Sequence, residues 1–177
     1  AGLLLADLNV LPDDLDELVA IPGAAFRIAK YPVTNHQYRR FVDEGGYQPT
    51  ADGERNHWWS EEGWKWRERE NWTGPRYWDD KRFNRSTQPV NAVSWYEAEA
   101  YCNWLTARWR SEGAISAGEQ VRLPTRAEWE QAARHGEPAP AYKAADYPWR
   151  SAFEVWRANT EESALKQTTP VHMYLDG

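Results

Sequence analysis

Cysteine is nearly absent from this sequence: Cys102 is the only one in 177 residues. A single thiol excludes an internal disulfide, so nothing points to an oxidising compartment. Long apolar runs are missing too. None approaches the ~20 residues of a membrane-spanning helix, and the mean hydropathy is -0.87. The opening Ala1-Gly-Leu-Leu-Leu-Ala-Asp7 has neither the basic flank nor the longer apolar stretch of a signal peptide. A cytoplasmic setting without a membrane partner is the resulting expectation. The first residue is Ala1 rather than Met, which suggests trimming or excision from a longer protein. Positive charge is also scarce. With 21 Lys and Arg against 27 Asp and Glu, the net charge is -6, and no global field favours phosphate. There is no Gly-x-Ser-x-Gly turn and no phosphate loop. His36, His57, His135 and His172 are scattered, with no pair at helical spacing and no zinc or iron pattern.

What the chain has in excess is tryptophan, 12 residues, of which six fall between Trp58 and Trp78. Each ring buries ~150–250 Å², so a polar chain can build its core from a few large aromatics. A second use is contact. If two of Trp58, Trp59, Trp64 and Trp66 face solvent, they form a binding patch for a protein or small ligand. Residues 54–85 interleave these rings with eight basic and seven acidic residues. That balance is no electrostatic funnel, and nucleic acid is not an expected partner.

Residues 1–23 read as a lead-in, and residues 24–177 as one domain. In the lead-in, Leu11-Pro-Asp-Asp-Leu-Asp-Glu-Leu18 reads as one acidic helical turn opened by its proline. Residues 26–31 alternate as a half-buried strand. Thr34, with Gln37 three residues on, starts a helix carrying Tyr38, Phe41 and Val42 on one face and stopping at Gly45-Gly46. Residues 47–88 read as a long, ordered, tryptophan-pinned excursion without clear elements. Ser94 and Glu97 stand at capping-box spacing and open a helix to about Arg110, with Trp95, Ala98, Cys102, Leu105 and Trp109 as its apolar stripe. Val121-Arg-Leu123 reads as a short strand. Thr125 and Glu128 repeat the box and open a helix to about His135, with Trp129, Ala132 and Ala133 inward and Gly136 as its stop. Val171-His-Met-Tyr-Leu175 reads as a closing strand.

Two phrases, Gln88-Pro-Val-Asn-Ala-Val-Ser-Trp-Tyr-Glu-Ala98 and Arg122-Leu-Pro-Thr-Arg-Ala-Glu-Trp-Glu130, resemble the formylglycine-generating enzyme (sulfatase-modifying factor) family. So do Phe26-Arg-Ile-Ala-Lys-Tyr-Pro-Val-Thr-Asn35, Trp58-Trp-Ser-Glu-Glu-Gly-Trp64, Pro75-Arg-Tyr-Trp-Asp79, Tyr147-Pro-Trp149 and Asn159-Thr-Glu-Glu-Ser163, in that family's order. The resemblance implies an α+β, loop-rich, C-type-lectin-related domain with few helices and a small antiparallel sheet. Members usually carry a Gly-containing strand before the Phe26 segment, and here the sequence departs from that pattern, with Ile21-Pro-Gly23 running almost directly into it. Members bind copper(I) through two cysteines in a later Gly-Gly-Ser-Trp region and oxidise a sulfatase cysteine to formylglycine. Neither that phrase nor the family's Gly-Asn-x-Trp-Glu-Trp occurs here. Other relatives of the scaffold serve iron-dependent sulfur–carbon bond formation with a His-rich domain that these residues also lack.

The resemblance further implies a structural calcium site from Asn159, the Thr160 carbonyl and Tyr174 in Pro170-Val-His-Met-Tyr174. His172 stands where some relatives have an aspartate and suits a hard cation poorly. Alternatively, Asn159 hydrogen bonds stabilise the loop by themselves. Cys102, mid-helix among apolar neighbours, reads as structural. Two functions follow as expectations. The chain is a recognition module of a larger bacterial protein, without catalytic thiols; or it is the amino-terminal part of a copper-dependent formylglycine-generating oxidase.

Overall fold

The fold is carried by four helices and one two-stranded antiparallel sheet in the computed structural model, which describes residues 10–134, 136, 147, 149 and 152–174. This is the loop-rich α+β architecture that the motifs imply. No helix among these residues is long and apolar enough to cross a membrane. In chain order the elements are β1 (Leu18–Ala20), β2 (Arg27–Ala29), α1 (Asn35–Asp43), α2 (Glu61–Arg69), α3 (Trp95–Ser111), α4 (Arg126–Ala133) and a 3₁₀ turn at Glu161–Ser163. They fall into two compact units. One holds residues 35–84 and 90–123, the other the remaining described residues.

The first unit is built round Phe41, which is fully buried. Its ring lies 5.5–6.0 Å from those of Tyr38, Tyr47, Trp58, Tyr101 and Trp104, in tilted or edge-on geometry. Such pairs add ~0.5–1.5 kcal/mol each beyond area burial. Helix α1 ends as its glycines predict: Gly45 has φ +81°, and the Gly46 N–H returns to the Phe41 carbonyl at 2.8 Å. A Cβ on Gly46 would sit 2.5 Å from the Phe41 ring. The Gly46 carbonyl also accepts the Trp59 indole N–H at 2.7 Å. One small residue thus lets the turn lie flat on the hub and pins a second ring.

Helix α3 has the Ser94/Glu97 capping box in full, with bonds of 3.2 and 2.6 Å. Its apolar stripe is rotated from the sequence expectation. Tyr101, Trp104 and Leu105 turn inward with Ala100, Cys102 and the Glu97 carboxylate, whereas Trp95 is 60% exposed. Periodicity weighed Trp95 and Trp109 by hydrophobicity alone. The hub instead recruits the rings at 101 and 104, one turn apart on the side facing α1.

Helix α2 departs from the reading of residues 47–88 as free of elements. Ser60 caps it, Glu61 and Glu62 occupy the first turn, Arg67 and Arg69 the last, and Lys65 pairs with Glu61 at 2.5 Å. These suit the helix dipole and the i,i+4 rule. Gly63 stands inside this helix, although glycine weakens a helix interior. It is there because a Cβ would lie 3.1 Å from Tyr96, so it permits close packing of α2 on the start of α3. The remainder of 47–88 is turns and bends, pinned by buried Trp59 and Trp64.

In the other unit, Leu18, Val19 and Ala20 pair with Ala29, Ile28 and Arg27. The residues read as a lead-in thus supply β1, a strand that the sequence reading took to be missing before the Phe26 segment. Residues 13–16 make a turn that places Asp14 beside Lys30 (2.5 Å) and Tyr31 (3.2 Å). Helix α4 has its own complete box from Thr125 and Glu128, and Gly136, at φ +79°, sends its N–H back to Gln131 at 2.9 Å. Trp129 is 60% exposed rather than inward. Neither expected late strand forms. Residues 121–123 are irregular and 171–174 are turn and bend; Leu175 and His135 lie outside the described residues. Val121 fails to pair because its N–H donates to the Thr106 hydroxyl at 2.9 Å and its carbonyl accepts from it at 3.1 Å, which closes off the strand edge.

Candidate functional site

The lone thiol is unsuited to redox work. Cys102 is buried on α3, and burial, with a smaller push from the Glu99 charge, raises its pKa to about 11. Thiolate, the reactive and metal-binding form, is scarce there at neutral pH. Among the described residues, no three His, Cys, Asp or Glu side chains gather as a metal site.

The four tryptophans singled out as a contact patch do not share a surface. Trp59 and Trp64 are 1% and 6% exposed and belong to the core, and Trp58 is half-buried against Phe41. Only Trp66 faces solvent. It belongs to a different group of rings, running Trp72–Trp66–Tyr96–Trp95 with successive centroid separations of 6.4, 6.2 and 5.5 Å. The Arg69 guanidinium stacks over Trp66 at 3.9 Å. Sequence reasoning missed this ledge because it placed Trp95 inside. The signal available was the buried partner of the capping box: if Glu97 is inward, Trp95 two residues earlier is turned away.

The calcium candidates sit in a small hydrogen-bonded loop. The Asn159 amide N–H donates to the Gln167 carbonyl at 2.8 Å. The Ser163 hydroxyl lies 3.1 Å from Asn159 Oδ1 and 2.7 Å from the Thr160 carbonyl. The two oxygens a calcium ion would need are thus turned onto one hydroxyl, and His172 adds a nitrogen where hard cations take oxygen. These groups do not fit the ion as they stand. Tyr174 is half-buried, and its side chain makes no contact to this loop among the bonds described. Nearby, segments 85–89 and 167–172 cross: the Val171 N–H meets the Thr87 carbonyl at 2.9 Å, and the Gln88 amide the Thr168 carbonyl at 2.6 Å. Thr87 Oγ1, Thr168 Oγ1 and His172 Nδ1 are buried there without hydrogen-bond partners.

A cleft of about 370 Å³ opens between Trp58, Trp104 and the last turns of α3. Its charges are matched within it, since Arg108 pairs with both Glu44 and Glu112.

The sulfatase-modifying factor enzyme 1-like domain matches residues 17–176. The chain belongs to that family. Among curated proteins, the hercynine oxygenase of Mycolicibacterium thermoresistibile is 34% identical over 186 aligned positions, covering 99% of this chain and 36% of that protein. The formylglycine-generating enzyme of Mus musculus is 30% identical, over 84% of this chain and 43% of the relative. The inactive C-alpha-formylglycine-generating enzyme 2 of Mus musculus is 31% identical, over 76% and 43%. The chain spans about a third of the length of the hercynine oxygenases it matches. Family membership assigns no chemistry to the residues just described, because one fold hosts many activities.

Proposed function

We propose that this sulfatase-modifying-factor-like domain is a non-catalytic recognition module of a larger bacterial protein, the redox centre of which lies outside these 177 residues. The observation that carries this reading is Cys102: the sole thiol is buried mid-helix with its pKa pushed up to about 11. A formylglycine-type oxidation through two copper-bound thiolates needs a second sulfur, and these residues supply none. The relative named as inactive supports the idea that this scaffold serves without that chemistry. The mycobacterial hercynine oxygenases, of which the chain spans about a third, support a place within a longer protein. The alternative is a part of a copper-dependent formylglycine-generating oxidase. It rests on relatives of that name at 27–30% identity, below the 34–37% of the hercynine oxygenases.

The test is chemical. The purified chain, loaded with copper(I) under oxygen, is incubated with a Cys-x-Pro-x-Arg peptide, and aldehyde is trapped with an aminooxy probe. In parallel, the chain with iron(II) and hercynine is followed for oxygen uptake. Neither should exceed the metal-only control. Trapped aldehyde or hercynine-dependent uptake would overturn the non-catalytic reading by placing a redox centre inside this chain.

A further inference from the structure

We propose that the exposed ring ledge Trp72–Trp66–Tyr96–Trp95, together with the Glu99 carboxylate, is a docking site for an arginine side chain of a partner polypeptide. The inference rests on the recognition-module reading and gives it a surface and a ligand chemistry.

Three observations converge. The ledge is continuous, each ring within 5.5–6.4 Å of the next; Trp66 and Trp95 are 39% and 60% exposed, and Trp72 and Tyr96 are half-buried. What sets these rings apart from the equally exposed Trp129 and Trp156 is that they adjoin one another, and contiguous apolar patches mark interaction sites. Next, the ring faces take guanidinium: Arg69 stacks on Trp66 at 3.9 Å within the chain itself. Arginine is the cation best matched to an aromatic face, being planar and weakly hydrated.

The third observation concerns charge. Glu99 stands one helical turn after both Trp95 and Tyr96, on the same side of α3. Its Oε2 is buried and takes no hydrogen bond among the described residues. The neighbouring carboxylate Glu97, by contrast, receives both the Tyr47 hydroxyl and the Ser94 N–H. A carboxylate oxygen withdrawn from water without a donor is an incomplete ion pair. A guanidinium laid across Trp95 and Tyr96 supplies the missing donors, and its plane is covered by the rings. An uncharged apolar partner would cover the indoles and leave Glu99 unanswered.

Fluorine NMR of the fluorotryptophan-labelled chain tests this, with the Trp66 and Trp95 resonances assigned by single Trp→Phe replacements. N-acetyl-arginine amide is titrated against N-acetyl-citrulline amide, its uncharged isostere. Saturable shifts of both resonances with the arginine probe are expected, with about tenfold weaker binding of the citrulline probe. Glu99→Gln should bring arginine down to the citrulline level. Trp95→Leu, at an exposed position that leaves the core intact, should weaken arginine about threefold. Absence of a saturable shift, equal response to both probes, or unchanged affinity in Trp95→Leu would each overturn the proposal. None of these would touch the recognition-module reading, which stands or falls on the aldehyde and oxygen assays.

Discussion

Replacing Tyr47 by Phe removes one oxygen from the centre of the first unit and isolates what holds Glu97 there. Glu97 is 2% exposed, and its carboxylate accepts the Tyr47 hydroxyl at 2.6 Å and the Ser94 N–H at 2.6 Å. The Tyr38 hydroxyl lies 2.9 Å from that of Tyr47 and 3.5 Å from the Glu97 carbonyl. Burial pushes both phenols well above their ordinary pKa, so they remain donors at any working pH. A hydrogen bond to a buried charge contributes ~1.5–3 kcal/mol, and an orphaned acceptor keeps its desolvation cost. Tyr47→Phe should therefore destabilise by about 2–3 kcal/mol, read as a lowered urea midpoint with unchanged slope. Glu97→Gln keeps one acceptor oxygen but loses the charge and the second acceptor and should cost about 1–2 kcal/mol, and the double variant should be less unstable than the sum by about 1 kcal/mol, because the Tyr47 bond is weakened by one change and removed by the other. Glu128→Gln is the control: the same box at the solvent-facing start of α4 should cost no more than ~1 kcal/mol. A loss below about 0.5 kcal/mol for Tyr47→Phe, or additivity with Glu97→Gln within ~0.3 kcal/mol, would refute the network.

Four other outcomes follow. Cys102, with its pKa near 11, should resist a thiol reagent at pH 8, where about one thiol in a thousand is ionised, and react at once in urea; rapid native labelling would contradict its burial. Asp80, held at about 2 by its hydrogen bond to the Arg82 guanidinium, should titrate below the ordinary 3.8 by carboxyl-carbon NMR. A depressed folded pKa means that the bond supports its turn fully above pH ~3.8 and is lost as pH falls through about 2, and Arg82→Ala should raise the midpoint toward the ordinary value without reaching it, because the backbone N–H of residue 82 still donates to Asp80 at 3.0 Å. Gly46→Ala should destabilise by ~1–3 kcal/mol because its Cβ meets the Phe41 ring at 2.5 Å, and a neutral result would mean the hub yields. Calorimetry with millimolar calcium should give no heat, since Asn159 Oδ1 and the Thr160 carbonyl already face Ser163; a saturating signal would show that they turn outward for the ion.

Local chemistry was readable and its orientation was not. Ser94 with Glu97, and Thr125 with Glu128, are four-residue devices, and the N–H groups they satisfy are their own, so both boxes appear as spelled. Gly45 and Gly136 stop helices for the same kind of reason, by adopting positive φ. Which face of α3 turns inward is decided elsewhere, by the rings of α1 and by a glycine in α2 that a sequence reader takes for a breaker. That is why Trp95 and Trp59 exchange roles: the indole placed in the stripe is exposed, and one proposed for the surface is buried. The fold class could be named from phrases because those phrases are caps and turns. For the same reason they cannot name an activity, since a helix cap serves an oxidase and a binding module equally well. The residue on which that distinction is argued here, buried Cys102, lies mid-helix on α3 and belongs to no capping device.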